Sequence, residues 1–118
     1  MYLDEVREFC LSLPGAEESL PFDESTLVFK VGNKIFAITD IDDYEYVNVK
    51  CNPEKAIELR EMYPDKVIPG YHMNKKHWNS LVMDTGLPPQ KVKEWILDSY
   101  NLVLAGLPKK VRETIPKK

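Results

Sequence analysis

Long hydrophobic runs are missing from this sequence of 118 residues. Apolar stretches such as residues 102–105 are a handful of positions, where a membrane-spanning helix needs about 20, so no membrane partner is expected. Glycine is sparse: the five present form neither GxGxxG nor GxxxxGK followed by Ser or Thr, which excludes nucleotide binding through those loops. No nucleotide or other cofactor is expected. Only two cysteines occur, Cys10 and Cys51, both inside apolar patterns and without a CxxC spacing. They read as buried thiols in a reducing compartment, hence a cytoplasmic location, and not as a disulfide. The N-terminus lacks a basic region followed by a hydrophobic run, so nothing directs export.

Only two histidines occur. His72 and His77 stand five apart with no HExxH, so a metal centre is not expected. There is no GxSxG elbow, and neither cysteine has a histidine near it in sequence. Cys51 paired across strands with His77 or His72 stays open beside the packing reading. The acids Asp40, Asp42, Asp43 and Glu45 supply oxygen ligands but lack the length and central glycine of a calcium loop, and they read as a solvated turn. The chain is therefore expected to be a non-enzyme.

What is present is ordinary globular material: 43% apolar, 30% charged and 10% aromatic residues, sufficient for one core in a single domain spanning 1–118. Net charge is −3, yet it is unevenly spread. Residues 1–26 hold seven acids and one base, residues 27–65 eight and five, and residues 66–118 four acids and ten bases. An acidic first half and a basic second half either form two faces of opposite sign or intermix on folding.

Leu3, Val6, Phe9, Cys10 and Leu13 recur at helical spacing, and Pro14-Gly15 ends that helix. Residues 27–31 and 34–40 predict two strands around Gly32-Asn33, a type II′ hairpin in which Phe29 faces Phe36 and Leu27 faces Ile38. A third strand covers 46–51. Asn52-Pro53 then starts a helix reaching about Tyr63, and residues 67–73 and 78–83 predict a second ribbon. The last helix enters through Pro88-Pro89 and carries Val92, Trp95, Ile96, Ser99 and Val103 on one stripe, before a short basic tail from Lys109. The fold class is α+β: one antiparallel twisted sheet of about five strands backed by N- and C-terminal helices.

The densest stretch is Gly70-Tyr71-His72-Met73-Asn74-Lys75-Lys76-His77-Trp78-Asn79. Lysines at a ribbon tip can meet phosphates, and Trp78 or Tyr71 can stack on a base. On the residues alone the edge-turn reading is the stronger one, a turn kept soluble by lysine with Trp78 covering the sheet edge, because two lysines are a weak footprint in an acidic chain. Asp4, Glu5 and Glu8 on the outer face of the first helix offer oxygen ligands or a surface for a basic partner, and they also complement the helix dipole.

Residues 71–79, together with Ser99-Tyr100-Asn101-Leu102-Val103, Leu107-Pro108-Lys109, Leu20-Pro21-Phe22-Asp23, Val28-Phe29-Lys30-Val31 and Pro53-Glu54-Lys55-Ala56, resemble the MmcQ/YjbR family of small bacterial proteins. The resemblance covers nearly the whole chain. It implies a CyaY-like fold and a DNA-binding role in which paired β-ribbons act as wings, and it brings no catalytic residues. Under it the nucleic-acid-binding residues are Lys75, Lys76, His77, Trp78 and Asn79 at one tip, with Lys30 and Lys34 near the other. Two alternatives remain: a metal or protein-partner adaptor acting through the acidic first helix, by similarity to frataxin-like proteins, and a small-ligand binder with a pocket near Trp95 and Tyr100.

Overall fold

The computed structural model describes residues 1–71 and 73–116; His72, and Lys117 and Lys118 of the basic tail, lie outside the described residues. Helix α1 (Leu3–Ser12) buries Val6 and Cys10. Three strands then follow a short first one: β1 (Glu17–Ser19), β2 (Thr26–Val31), β3 (Lys34–Asp40) and β4 (Tyr46–Lys50). Helix α2 (Pro53–Met62) leads to β5 (Val67–Pro69) and β6 (Trp78–Val82), and α3 (Pro89–Ala105) and α4 (Lys109–Glu113) close the chain. The described strands form one antiparallel sheet in the order β1-β2-β3-β4-β6-β5.

Alternation along the strands decides which face is covered. Val47 and Val49 of β4, Leu81 of β6 and Phe29 of β2 are buried in one cluster with Val6 of α1, Ala56 of α2 and the α3 stripe Val92, Trp95, Ile96, Tyr100 and Val103. Tyr46, Asn48 and Lys50 take the opposite phase and are only half-buried, so helices back one face and leave the other open to loops and solvent.

The hairpin differs from the expected one in two ways. Gly32 and Asn33 both have positive φ, +56° and +65°, which makes the turn type I′, not type II′. Asparagine accepts this conformation more readily than most residues. A β-bulge also interrupts the ladder: Lys30 pairs with Ile35 but Phe29 pairs with Ala37, and Leu27 with Thr39. Phe36 is the extra residue, and the expected Phe29–Phe36 and Leu27–Ile38 pairs are not formed. The bulge frees the Phe36 carbonyl, and Ser99 of α3 satisfies it: the Ser99 hydroxyl donates to Phe36 O (2.6 Å) and accepts from the Lys50 N–H (2.8 Å). Phe36 itself packs edge-on against Tyr100, with ring centroids 5.4 Å apart.

The strand β1 was not expected, because Glu17-Glu18-Ser19 is too short and too polar to show alternation. The basic tail expected from Lys109 begins with a short helix, α4. Leu107 and Val111 lie so close to Gly32 that a Cβ there would sit 2.5 Å from Leu107 Cδ1, so glycine is needed at that turn for space as well as for φ. The predicted second ribbon is shorter than expected: β5 ends at Pro69, and Gly70, Tyr71 and residues 73–77 lie outside the strands.

Candidate nucleic-acid interface

Strand direction gathers the lysines. β2, β4 and β5 finish at the end of the sheet where β3 and β6 begin, so Lys30, Lys34, Lys50, Trp78 and residues 73–77 share that end. Lys50 and Trp78 are direct ladder partners, as are Lys30 and Ile35. Lys30, Lys34, Lys50 and Trp78 line one depression of about 480 Å³ with Leu102 and Gly106 at the carbonyl end of α3. The partial negative charge of that helix end favours the three ammonium groups. Among the described residues none of these lysines, nor Lys75 or Lys76, lies in an ion pair; Lys55 and Lys91 do, each with a glutamate three residues on. Three acids among the described residues share this end: Glu17, opposite Lys30 in the ladder, Glu54 at the start of α2, and Asp98 of α3, which lines a small gap with Lys50 and Cys51.

The loop before β6 is a tethered shelf, not a free wing. Arg60 of α2 holds it: its Nε donates to Asn79 Oδ1 (2.7 Å) and its Nη2 donates to the carbonyls of Trp78 (3.3 Å) and Lys75. Gly70 permits the close approach, since a Cβ there would stand 2.9 Å from Trp78 Cβ. Lys75 and Lys76 are exposed on the shelf; the Lys75 ammonium donates to the Gly70 carbonyl (3.1 Å), and the Lys76 N–H donates to Asn74 Oδ1 (2.9 Å). His77 is half-buried, its carbonyl accepting the Cys51 N–H at 2.7 Å.

Asn79 does not belong to the candidate surface. It is 1% exposed, and its amide is spent on Arg60 and on the Ala56 carbonyl (3.3 Å). The reason is the pleat: with Trp78 on the open face, Asn79 must face the helices. Sequence reasoning missed Arg60 and Lys50. A polar residue on the buried phase of a strand needs a hydrogen-bond partner, which is the signal that would have called for Arg60. Lys50, alternating with Val49, was already on the open phase.

The remaining candidates are accounted for by the fold. The Glu5 carboxylate accepts the Tyr2 N–H (2.8 Å), and the Asp4 carboxylate accepts the Glu5 N–H (3.1 Å), so both acids cap α1. Among the described residues no group of three or more His, Cys, Asp or Glu is placed to hold a metal ion. Burial pushes the Cys10 thiol up to about 12, and burial together with Asp98 raises that of Cys51; neither favours a reactive thiolate. The contact between Cys51 and His77 is main chain to main chain. Trp95 and Tyr100 are core: Trp95 packs edge-on to Tyr63 at 5.2 Å, the Tyr100 hydroxyl donates to the Pro14 carbonyl, and the gap beside Trp95 is about 10 Å³. That leaves no room for a ligand beside Trp95, whereas Tyr100 lines a depression of about 410 Å³ with Pro14, Leu104, Arg112 and Ile115. Among the described residues no helix is long and apolar enough to cross a membrane.

The YjbR family model matches residues 11–102. The chain belongs to the YjbR family. It is 34% identical over 113 residues to the uncharacterized protein YbdF of Escherichia coli O157:H7, covering 95% of this chain and 92% of that protein. It is 31% identical over 116 residues to the uncharacterized protein YjbR of Escherichia coli K12, covering 98% of each. Among solved structures, DR2400 of Deinococcus radiodurans, a DUF419 domain, superposes with a TM-score of 0.87 at 40% identity, over 95% of this chain and 86% of that one. A Pseudomonas syringae protein at 22% identity shares the fold, with a TM-score of 0.73 over 87% of this chain and 99% of its own. The antiparallel sheet with N- and C-terminal helices is thus the fold of this YjbR-family chain, and what it binds is argued from its own residues.

Proposed function

We propose that this YjbR-family protein is a non-enzymatic module that binds DNA through the lysine end of its sheet. The observation that carries the reading is the convergence of Lys30, Lys34 and Lys50 around Trp78, with Lys75 and Lys76 on the adjoining shelf. Ammonium groups outside ion pairs are available to phosphates, and an indole beside them offers a face for a base. The net charge of −3 does not oppose this locally. Strands of six or seven residues hold the two ends of the sheet about 20 Å apart, roughly twice the Debye length at 0.1 M salt.

The test is an anisotropy titration of a short labelled DNA duplex at several salt concentrations. Binding is expected at low salt, with log affinity falling by about 0.9 per decade of salt for each phosphate neutralised. Replacing Lys75 and Lys76 with alanine flattens that slope by up to about two, and replacing Lys30, Lys34 and Lys50 by up to about three. Absence of any anisotropy change up to high-micromolar protein at low salt overturns the proposal.

A further inference from the structure

The open face of the sheet carries a second depression, of about 520 Å³, toward the opposite end from the lysines. Ligand sites for small molecules commonly enclose about 300–1,000 Å³. Loops rise on either side of it. From one side comes Phe22, 67% exposed although it is a large apolar ring. Its loop is fixed by Asp23, whose carboxylate accepts the N–H groups of Ser25 (2.9 Å) and Thr26 (2.6 Å), so Phe22 is held out toward solvent by an ordered turn. From the other side come Tyr71 and Met73. Tyr71 packs against Tyr46, ring centroids 5.3 Å apart and planes inclined at 34°.

The floor is prearranged as well. The Ser80 hydroxyl accepts the Tyr71 N–H (2.8 Å) and donates to Asn48 Oδ1, while Asn48 Nδ2 donates to the Ile38 carbonyl (3.2 Å). These bonds hold the aromatic wall in register with the strands. Asp40, Asp43 and Glu45 close the third side, and no lysine or arginine is among the lining residues. Asp40 is occupied by the turn, accepting the N–H groups of Asp42 and Asp43 at 2.9 Å each. Asp43 and Glu45 take part in no ion pair among the described residues.

Ring faces beside carboxylates that lie outside ion pairs, with Glu45 bonded to the Tyr46 hydroxyl, favour one class of ligand, an organic cation with an apolar body. The geometry points to a binding site for a small organic ammonium compound, its charge against Tyr46, Tyr71, Asp43 and Glu45 and its apolar body on Phe22, Ile38 and Met73. An inorganic cation would leave the rings without a role. An anion would meet three carboxylates. The site adjoins the lysine end, sharing Ile35 with the lysine depression and Tyr71 and Met73 with the shelf, but its lining is acidic and aromatic and it does not depend on DNA being bound.

The experiment uses the full chain labelled for amide NMR and titrated with benzyltrimethylammonium, alongside benzyl alcohol, which keeps the ring and lacks the charge. Saturable shifts confined to the amides of Tyr46, Asn48, Tyr71 and Ser80 are expected with the ammonium compound, with the neutral alcohol about tenfold weaker or more. Glu45→Gln with Asp43→Asn, both exposed positions, is expected to weaken the ammonium compound by a similar factor while the spectrum stays dispersed. Tyr46→Leu supplies a second variant that removes the ring. Equal affinity for the two probes, shifts that map elsewhere, or unchanged binding in both variants overturns the inference.

Discussion

At one end of the sheet stand Lys30, Lys34, Lys50, Lys75 and Lys76; at the other stand Asp23, Asp40, Asp42, Asp43 and Glu45. Both sets are conspicuous in the sequence as charged runs, but the fold uses them differently. Asp23 and Asp40 accept main-chain N–H groups at the turns into β2 and out of β3. Among the lysines at the opposite end, Lys75 alone donates a side-chain hydrogen bond among the described residues, to the Gly70 carbonyl. Charge that closes turns is explained by folding. Charge that closes no turn calls for another account, which is why the lysine end carries the DNA reading and why Asp43, with Glu45 against the Tyr46 hydroxyl, carries the ammonium reading.

The largest effect should come from the support beneath the lysine end. Arg60→Met removes the guanidinium that binds Asn79, Trp78 and Lys75, and it leaves the buried Asn79 carbonyl oxygen without that donor. A hydrogen bond to a charged group is worth about 1.5–3 kcal/mol, and an orphaned buried acceptor carries a cost of similar size. A loss of about 3 kcal/mol in urea unfolding is expected, with weaker DNA binding because the shelf bearing Lys75 and Lys76 is released. If the variant unfolds at the parent's urea midpoint, the shelf is held by something other than Arg60.

The two ends can then be set directly against each other by single substitutions. Asp40→Ala takes the acceptor from two main-chain donors and should lower stability by about 1 kcal/mol, on the scale of a lost cap, with no change in the salt dependence of DNA binding. Lys34→Ala should do the reverse, changing stability by no more than about 0.5 kcal/mol and flattening the salt slope by about one. Matched stability losses at Asp40 and Lys34 would erase the distinction between structural and available charge.

Much of the frame was legible because it rests on local rules. Gly32-Asn33 between alternating strands, Asn52-Pro53 before a helix and the α3 stripe each carry their own signal. The bulge at Phe36 was not legible, because it is decided by Phe36 packing on Tyr100 and by Ser99 reaching its carbonyl from a helix 63 residues away. At the candidate site, Lys30, Lys34, Lys75, Lys76 and Trp78 were readable as residue types, but as two separate tips. Only the strand order, which slots β6 between β4 and β5 and sets Trp78 beside Lys50, merges them into one end. Asn79 was misplaced although strand alternation argues against it: if Trp78 lies on the open face, its neighbour does not.

The smallest effect concerns pH and sharpens the same contrast. Main-chain N–H groups of Thr26 and then Ser25, followed by the Thr26 hydroxyl, hold the Asp23 carboxyl below its ordinary value of 3.8. A folded-state value lower than the unfolded one means that folding favours the ionised form. Its contribution is fully present above the unfolded value and disappears as pH falls through the folded one. Thermal unfolding of the parent should therefore drop more steeply below about pH 4 than that of Asp23→Asn, while the two run parallel near neutrality. A parent and variant with identical acid limbs would show that the Asp23 turn leaves its carboxyl unshifted, and with it the ordered loop that holds Phe22 over the open face.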